Sequence, residues 1–556
     1  MIEKLELKFG SSPHKAPLTL EPTPITVFVG PNNSGKSKAI SEISINCQQL
    51  NNSPLSVIVN SVIFKNNIEE EALRIIKRIQ LFPPKRIVSH PDHIFILNNG
   101  GINEVPLPAL LNSLINPNLP NNKQNFINLY MSSRTLVLNG HNRIGLIDDQ
   151  GGGDLQEPPH TSLQKLFRDD NLRQQYRELV HRSLQAFPVV DPTRLGVLRL
   201  RLSKVQPISP DIERGLLDAS VQFHSDAIPI SESSDGARSF TGILAEIMTG
   251  DPQILLMDEP EAFLHPSLAF NLGRDISVSL SNTNKQMFVS THSAQFVMGC
   301  IQSGVPINVV RLTYRNGIAT ARLLPSAQIV NLMRNPLLRS TGVLSALFYE
   351  SAVVTEGDAD RAFYQEINER LLQVGRGIPN CIFLNAQNKQ TIPTIIDPLR
   401  KLGIPAAAIY DIDFVKDGGG IATKFMDTAG IPKLIQQGLT INRSNLKDEL
   451  LRSNSKYKKE GGIEVLSGSD RLAANDYFDQ LDSYGAFVVR SGELESWLKS
   501  LGATGHGPPW LIEIFEKMGE DPQAAGYTNP SDDDVWQFIG KIGNWLSDPA
   551  RKGIPD

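Results

Sequence analysis

The chain has 556 residues, of which 20% are charged and 40% are hydrophobic; 54 Lys and Arg residues face 59 Asp and Glu residues, giving a formal net charge of -5. A usual domain size of ~150 residues predicts three to four domain-sized units. The composition is ordinary for a globular protein and excludes a collagen, a coiled-coil rod and a disordered tail. The mildly acidic net charge argues against a protein that coats nucleic acid. It does not exclude nucleic-acid binding by a local basic surface.

Cysteine usage and hydropathy indicate the compartment. Cys47, Cys300 and Cys381 are far apart and form neither a zinc motif nor a disulfide framework. Residues 1–7 alternate like a strand rather than a signal peptide, and no apolar run approaches the ~20 residues that a membrane helix needs. We therefore expect a cytoplasmic protein with no membrane partner.

The first half of the chain alternates between strands and helices, with an irregular segment from about 52 to 225 that contains a glycine- and proline-rich loop at 148–160. Hydrophobic periodicity predicts strands over 2–9, 25–29, 254–257 and 286–290, and helices over 36–50, 236–249 and 267–281. This alternation is typical of parallel α/β sheets flanked by helices.

A phosphate-binding loop follows the second strand. Residues 30–37 read GPNNSGKS, which fits the GxxxxGK[ST] pattern between a strand and a helix. In such a loop the backbone N–H groups wrap the phosphates, the lysine reaches the β- and γ-phosphates and the serine hydroxyl ligates Mg²⁺. The predicted ATP-binding residues are Gly30, Asn32, Asn33, Ser34, Gly35, Lys36 and Ser37, with Ser37 also a metal ligand.

Two carboxylates emerge at the end of the apolar strand 254–257. Asp258 is predicted to hold Mg²⁺ and Glu259 to polarise the attacking water, whereas the alternative is that both merely begin a loop or cap a helix. His292, just after the strand that ends at Ser290, is predicted to donate near the γ-phosphate.

A serine- and glycine-containing segment, SESSDGAR at 231–238, opens the helix before that strand. Ser234 and Gly236 offer hydroxyl and backbone donors to a phosphate, and Arg238 adds charge; the alternative is a plain helix N-cap. These motifs, in this order, resemble the ABC-type ATPase heads of the RecF/SMC/OLD group. The resemblance implies a homodimer whose heads sandwich ATP, with Ser234 and Gly236 facing the P-loop of the other subunit; the Q-loop glutamine stays open among Gln124, Gln150 and Gln156.

A second βαβ series starts near residue 350, with strands over 351–355, 381–385, 405–410 and 485–490 and an insertion at about 415–484. Glu356 and Asp360 follow the first strand, and Asp411 and Asp413 are predicted on one face of the third strand's end. Parallel strands bring their carboxyl ends to one edge, and carboxylates there select Mg²⁺ or Mn²⁺. Two such metals can activate water for phosphodiester cleavage, although each acid taken alone also fits a cap or a turn.

ExxxD followed by DxD resembles the TOPRIM domain of topoisomerases, primases and OLD nucleases. The resemblance implies catalytic roles for Glu356, Asp411 and Asp413, and it makes Glu493, then Glu495, the preferred candidates for a further metal ligand. The alternative for these glutamates is the exposed side of an amphipathic helix. Residues 385–389 replace a glycine common in TOPRIM domains, and a late catalytic lysine is open among Lys499, Lys517 and Lys541.

An ABC head followed by a TOPRIM domain resembles the OLD (overcoming lysogenization defect) family. We expect an α/β fold with an ATPase head at 1–345, carrying an inserted helical or dimerisation segment, and a Rossmann-like TOPRIM domain at 346–556 that ends in a helical segment. The resemblance implies an ATPase and an ATP-regulated, divalent-metal-dependent DNA endonuclease or nickase. It also implies anti-phage defence, either alone or beside a helicase or a reverse-transcriptase/RNA partner.

A non-nucleolytic, ATP-switched DNA clamp or sensor acting with a partner is the alternative function. For DNA contact, the basic run 456–459 offers lysines to phosphates and Tyr457 to a base, unless it is a solvated loop. Arg134 and Arg143 are further candidates.

Overall fold

The computed structural model describes the whole chain except residues 49–54, 82–89, 91, 99–100, 251, 282, 316, 325–326, 328, 331–333, 337, 339–341 and 555–556. It divides into two compact units, Met1–Ser326 and Ala327–Asp556. The boundary expected after residue 345 lies inside the second unit. Among the described helices, none is long and apolar enough to cross a membrane.

A six-stranded sheet forms the centre of the first unit. Its strands, in spatial order, are Ile318–Leu324, Ile307–Arg315, Ile25–Val29, Gln286–Ser290, Ile254–Asp258 and Thr135–Leu138. All neighbouring pairs are parallel except the first. Both faces are covered, which explains why the central strands are continuous apolar runs rather than alternating ones.

Three helices of this unit lie close to the predicted positions, at Lys36–Gln48, Asp235–Thr249 and Pro266–Leu280. A fourth helix, Ala294–Gln302, was not predicted. The predicted end of the first, at 49–50, lies outside the described residues. The last two helices approach backbone to backbone, since a Cβ on Gly299 would lie 2.0 Å from the Phe270 carbonyl oxygen. Only glycine permits that packing.

The segment predicted to be irregular or helical also contains strands. The first unit also has two three-stranded sheets and a four-stranded sheet. Their strands are Ile2–Leu7, Thr19–Leu20, Val59–Phe64, Gln80–Leu81, His93–Asn98, Gly101–Pro106, Gln150–Gly151, Phe187–Asp191, Val197–Ser203 and Ile228–Pro229. All but the first two and the last lie in that segment. Its helices are Glu69–Ile79, Leu107–Ile115, Pro120–Phe126, Ser162–Arg168, Asp170–Leu184, Pro210–Arg214 and Asp218–Ser225. The segment also supplies Thr135–Leu138 to the central sheet, a strand too short for its pattern to stand out.

The second unit is built on a four-stranded parallel sheet in the order Cys381–Asn385, Ser351–Thr355, Ala406–Asp411 and Ala486–Val489. All four strands were predicted, two with identical bounds. Helices Asp358–Gln373 and Ile392–Lys401 connect the first three strands, and the insertion forms Gly419–Thr428, Lys433–Ser453 and Gly468–Asp482. Helices Pro508–Met518 and Asp534–Ser547 complete the unit and bring three tryptophans, at 510, 536 and 545, into its core.

A buried arginine joins distant parts of this second unit. The Arg400 guanidinium is almost fully buried, and burial lowers its pKa to about 10. It lies 5.1 Å from the Trp545 ring and donates to backbone carbonyls at 2.9–3.4 Å. Those acceptors are the carbonyl oxygens of Ala406, Ala429, Tyr484, Gly485 and Gly553. One side chain thus bonds four segments, three of which lie 29 to 153 residues away in sequence.

We expect Arg400→Met to destabilise the second unit by about 3 kcal/mol or more, because each buried carbonyl left without a donor costs roughly 1–3 kcal/mol. Arg400→Lys should recover only part of this loss, since an ammonium has three donors and no planar fork. Urea unfolding followed by tryptophan fluorescence reports on this unit alone, because all 4 tryptophans lie in it. The control is Lys401→Met, whose exposed partner is Asp397; equal midpoints for the Arg400 and Lys401 variants would contradict the role of Arg400.

Candidate functional site

The P-loop connects the strand Ile25–Val29 to the helix Lys36–Gln48 through backbone that needs glycine. Gly30 and Gly35 have φ values of +143° and +92°, and a Cβ on Gly30 would lie 2.0 Å from the Leu312 carbonyl oxygen. Ser37, Asn32 and Asn33 are exposed. The loop therefore presents its backbone and the Ser37 hydroxyl to solvent.

Lys36 is buried within this loop. Its Nζ donates to the carbonyl oxygens of Gly30 at 2.9 Å and Pro31 at 2.7 Å, and lies 3.4 Å from Ser34 Oγ. Burial lowers the pKa of Lys36 to about 8, and the nearby Glu259 and Asp258 partly offset this effect. The hydrogen-bond acceptors of the ammonium are thus carbonyl and hydroxyl oxygens of the loop. Phosphate oxygens of a bound nucleotide can replace them as acceptors.

The carboxyl ends of two neighbouring strands bring the predicted catalytic groups together. Ser290 Oγ donates to Asp258 Oδ1, and the Glu259 N–H donates to the Ser290 carbonyl at 2.9 Å. His292 Nε2 lies 3.5 Å from Glu259 Oε1. Burial, and then the charge of Lys36, lower the pKa of His292, which favours the neutral imidazole.

Two further residues hold this edge in place and were not predicted to do so. Glu261 is partly buried, which raises its pKa, and it accepts from Thr291 Oγ1 at 2.7 Å and from the His292 N–H at 2.9 Å. Arg143 donates to the carbonyl oxygens of Asp258, at 3.3 Å, and Glu259. Because Arg143 is only 2% exposed, it is not the surface DNA contact considered above.

The predicted signature segment caps the helix Asp235–Thr249. Ser234 Oγ accepts from the Ala237 N–H at 3.3 Å, and a Cβ on Gly236 would lie 2.7 Å from the Phe263 carbonyl oxygen. Arg238 pairs with Asp148 at 3.0 Å. The helix start therefore packs closely on the segment that follows Glu259.

The Q-loop candidates lie in different surroundings. Gln124 is in the helix Pro120–Phe126, and Gln156 is exposed. Gln150 Nε2 donates to the Leu146 carbonyl at 3.2 Å, and its Oε1 accepts from the Leu163 N–H at 3.0 Å, so its amide joins two segments of the chain. The choice among the three stays open.

In the second unit, three predicted carboxylates converge at the carboxyl edge of the parallel sheet. Glu356, Asp411 and Asp413 each offer an oxygen within 4.8 Å of the others, and the Asp411 N–H donates to Glu356 Oε1 at 3.0 Å. The two-residue spacing predicted that Asp413 lies on the end of the strand, but it does not. The strand ends at Asp411, and the 3-10 turn Ile412–Lys416 positions Asp413 instead.

Asp360 lies in the first turn of the helix Asp358–Gln373, as predicted, and accepts from the Gly357 N–H at 2.8 Å. It lies outside the group of three carboxylates just described. Burial raises the pKa values of Glu356 and Asp411, and repulsion adds to this: Asp411 and Asp413 act on Glu356, while Asp360 and Asp413 act on Asp411. A cation at this place would relieve the repulsion among these acids.

A second group consists of Glu493, Glu495 and His506, whose ligand atoms also lie within 4.8 Å of one another. His506 Nδ1 lies 2.7 Å from Glu495 Oε1, which also accepts from the Gly507 N–H at 2.7 Å. The glutamate side chains are 8% and 14% exposed, so the alternative of an exposed amphipathic helix is wrong. His506 belongs to no motif, which is why the sequence did not reveal it.

Lys458 connects the two groups. Its Nζ lies 3.0 Å from Asp411 Oδ2, 3.7 Å from Asp413 Oδ2 and 3.4 Å from Glu493 Oε2. Lys389 adds a second ammonium, 3.1 Å from Asp413 Oδ1. Both lysines come from segments whose role the sequence left open.

The other basic candidates lie elsewhere. Lys517 pairs with Glu513 at 2.9 Å, Lys499 is in the 3-10 turn Lys499–Leu501, and Lys541 is in the helix Asp534–Ser547. Tyr457 is fully buried under Lys416, whose Nζ is 5.3 Å from the ring centre. It cannot stack on a base without leaving the core.

The donor sets suit divalent cations. Carboxylate oxygens are the ligands that Mg²⁺ and Mn²⁺ prefer, so Glu356, Asp411 and Asp413 could hold either ion. The group with His506 adds an imidazole nitrogen, which also suits softer ions such as Mn²⁺ and Zn²⁺.

Two family models match the chain. One, described as "AAA domain, putative AbiEii toxin, Type IV TA system", covers residues 140–298; the other, "Overcoming lysogenization defect protein-like, TOPRIM domain", covers residues 347–413. The first match includes the ATPase motifs that follow the P-loop, and the second includes Glu356, Asp411 and Asp413. No curated protein matches the chain.

Among solved structures, the chain is similar to an SMC head bound to the C-terminal winged-helix domain of ScpA, at 15% identity and a TM-score of 0.33, over 59% of this chain and 99% of that one. The SMC head domain of Thermotoga maritima has 13% identity and a TM-score of 0.30, over 58% and 99%. The Smc head of Pyrococcus furiosus with the C-terminal domain of ScpA has 13% identity and a TM-score of 0.32, over 60% and 99%.

We expect Lys458→Met to destabilise the second unit by about 2 kcal/mol, because breaking a fully buried ion pair costs about 3–5 kcal/mol and this lysine stays partly exposed. Added Mn²⁺ should restore more stability to this variant than to the wild type, since a cation would replace the lost ammonium. Tryptophan-monitored unfolding with and without Mn²⁺ measures both effects. The matched control, Lys456→Met, removes an exposed charge two residues away; an identical Mn²⁺ response in both variants would contradict the charge-balance argument.

Proposed function

We propose that this chain is an ATP-regulated, divalent-metal-dependent DNA endonuclease or nickase. Its ATPase domain is followed by an OLD-like TOPRIM domain, which is the layout of the OLD family. The observation that carries the proposal is the pair of acidic groups joined by Lys458 at the carboxyl edge of a parallel sheet. Ligands of open α/β sheets bind at that edge.

In this proposal, Glu356, Asp411 and Asp413 hold one divalent cation, and Glu493, Glu495 and His506 hold another. When bound, such cations activate water and stabilise the leaving oxygen of a phosphodiester. Asp360 keeps the start of its helix next to Glu356 through the bond to the Gly357 N–H. Lys458, released from Asp411 and Glu493, donates to a phosphate oxygen of the substrate.

ATP binds at the P-loop of the first unit. Lys36 exchanges the carbonyls of Gly30 and Pro31 for phosphate oxygens, while Ser37 and Asp258 hold Mg²⁺. Glu259 polarises the attacking water, and His292 donates to the γ-phosphate region. Arg143 and Glu261 act as positioning residues, since their bonds fix the backbone at Glu259 and His292.

The active form is a homodimer of ATPase heads in which Ser234 and Gly236 of one head complete the nucleotide site of the other. The start of their helix is capped and partly exposed, as an intersubunit phosphate contact requires. We extend the proposal to a cytoplasmic role in anti-phage defence, with a helicase or a reverse-transcriptase/RNA partner. The family layout supports this extension.

The direct test incubates purified protein with supercoiled and linear DNA and Mg²⁺ or Mn²⁺, with and without ATP. Wild-type protein should nick or cut the DNA, and Asp411→Asn/Asp413→Asn should lower the rate at least about 100-fold, because cleavage then loses its metal ligands. The matched control, Asp397→Asn, removes an acid that pairs only locally with Lys401.

Three results would distinguish the alternatives. Cleavage lost in the double variant but kept in the control supports the nuclease. Equal cleavage in both variants contradicts the assigned site. Absence of cleavage with intact ATP hydrolysis, even when the protein encoded by a neighbouring gene is added, favours the ATP-switched clamp.

For the ATPase, Glu259→Gln should lower hydrolysis by about 10²–10⁴-fold while ATP binding persists, because the polarising carboxylate is lost but the P-loop is intact. Unhydrolysed ATP should then hold two heads together, so sedimentation should show an ATP-dependent dimer. Lys36→Ala should lose both binding and dimer formation. The control is the exposed Glu70→Gln; wild-type hydrolysis by Glu259→Gln would contradict the role of Glu259.

A further inference from the structure

A cavity of about 590 Å³ lies at the opposite edge of the ATPase sheet from the P-loop. Arg134, Gln253 and Lys285 line it, and each immediately precedes one of three adjacent parallel strands. Those strands begin in register, with Ile254 paired to both Thr135 and Gln286. A five-residue strand spans roughly 16 Å, so the cavity and the nucleotide edge are separate places.

The described lining of the cavity is strongly basic. Four cationic side chains line it, and none of the 13 described lining residues is an Asp or Glu; the cations are Arg78, Arg134, Lys165 and Lys285. The nearby Glu246 is not part of the lining and accepts from Ser162 Oγ, and burial raises its pKa. In a chain of net charge -5, such a concentration of positive charge favours an anionic ligand.

Two of the cations are held in place by backbone. Lys165 Nζ donates to the Thr249 carbonyl at 2.9 Å, and Lys285 Nζ donates to the carbonyls of Ile247 at 2.8 Å and Gly250 at 2.9 Å. These oxygens lie at the C-terminal, partly negative end of the helix Asp235–Thr249. The lysines therefore cover that negative end, and both of them also line the cavity.

The remaining lining has the character of a small-ligand site. Ile79, Leu81, Pro158, Pro159 and His160 form an apolar and aromatic wall, and the amides of Gln253 and Asn284 add neutral hydrogen-bonding groups. The volume falls in the range of about 300–1,000 Å³ that small-molecule pockets occupy. Cations beside an apolar wall suit a molecule that carries phosphates on an organic body.

We propose that this cavity binds a small phosphorylated ligand, of the nucleotide class, at a site separate from the P-loop. The same chemistry is present at the phosphorylated 5′ end of a nucleic acid. The limited volume favours a free small molecule over a polymer end. The proposal does not depend on nuclease or ATPase activity.

The test is calorimetric titration of inorganic pyrophosphate into Lys36→Ala protein, in which the P-loop has lost its phosphate-binding lysine. Arg78→Ala in this background should weaken binding at least about tenfold, as expected for loss of one charge-assisted contact. Arg78 is exposed at the end of its helix, so the variant should fold normally. The matched control, Lys77→Ala, removes the same charge from an exposed neighbour outside the cavity.

Binding that depends on Arg78 but not on Lys77 supports the proposal, and Arg134→Gln should weaken it further. Equal affinity in the Arg78 and Lys77 variants, or no binding in the Lys36→Ala protein, overturns it. Parallel titrations with ATP and with a 5′-phosphorylated oligonucleotide distinguish the two sources of phosphate. Arg78-dependent binding of the nucleotide supports a free ligand, whereas such binding of the oligonucleotide alone overturns the small-ligand assignment.

Discussion

Charge balance at the carboxyl edge of the second sheet is the constraint on which the candidate nuclease site depends. Parallel strands deliver Glu356 and Asp411 to one place, where burial and mutual repulsion raise the pKa values of both. Lys458 lies between Asp411 and Glu493 and partly neutralises them. The insertion that carries Lys458 is therefore part of the site's electrostatics.

The ATPase unit uses a related arrangement with the opposite sign. Here a single buried ammonium, Lys36, lies against carbonyl oxygens while Glu259 and Asp258 raise its lowered pKa from nearby. Arg143 and Glu261 bond the backbone that presents Glu259 and His292. In both units, charged side chains from outside the sheet contact the groups at its carboxyl edge and compensate charge or bond backbone there.

Local pattern explains why much of the architecture could be predicted. The strand over 351–355 and the helix after Lys36 follow from uninterrupted apolar runs and a glycine-rich turn, which depend on neighbours close in sequence. The strand Thr135–Leu138 was missed because four residues carry too little pattern, and only its pairing with Ile254–Met257 makes it part of the central sheet. Asp413 was predicted near Asp411, but a 3-10 turn brings it there.

The sequence by itself determined the two α/β units, the P-loop and the order of the acids, because each is written in residues a few positions apart. Only the tertiary structure decided which cations face those acids. Lys458 and His506 come from segments without a motif, and Tyr457, beside Lys458, turns inward instead of outward. The physical reason is that charge compensation and burial depend on distances in space, and those distances are set by loops whose sequences carry no periodic signal.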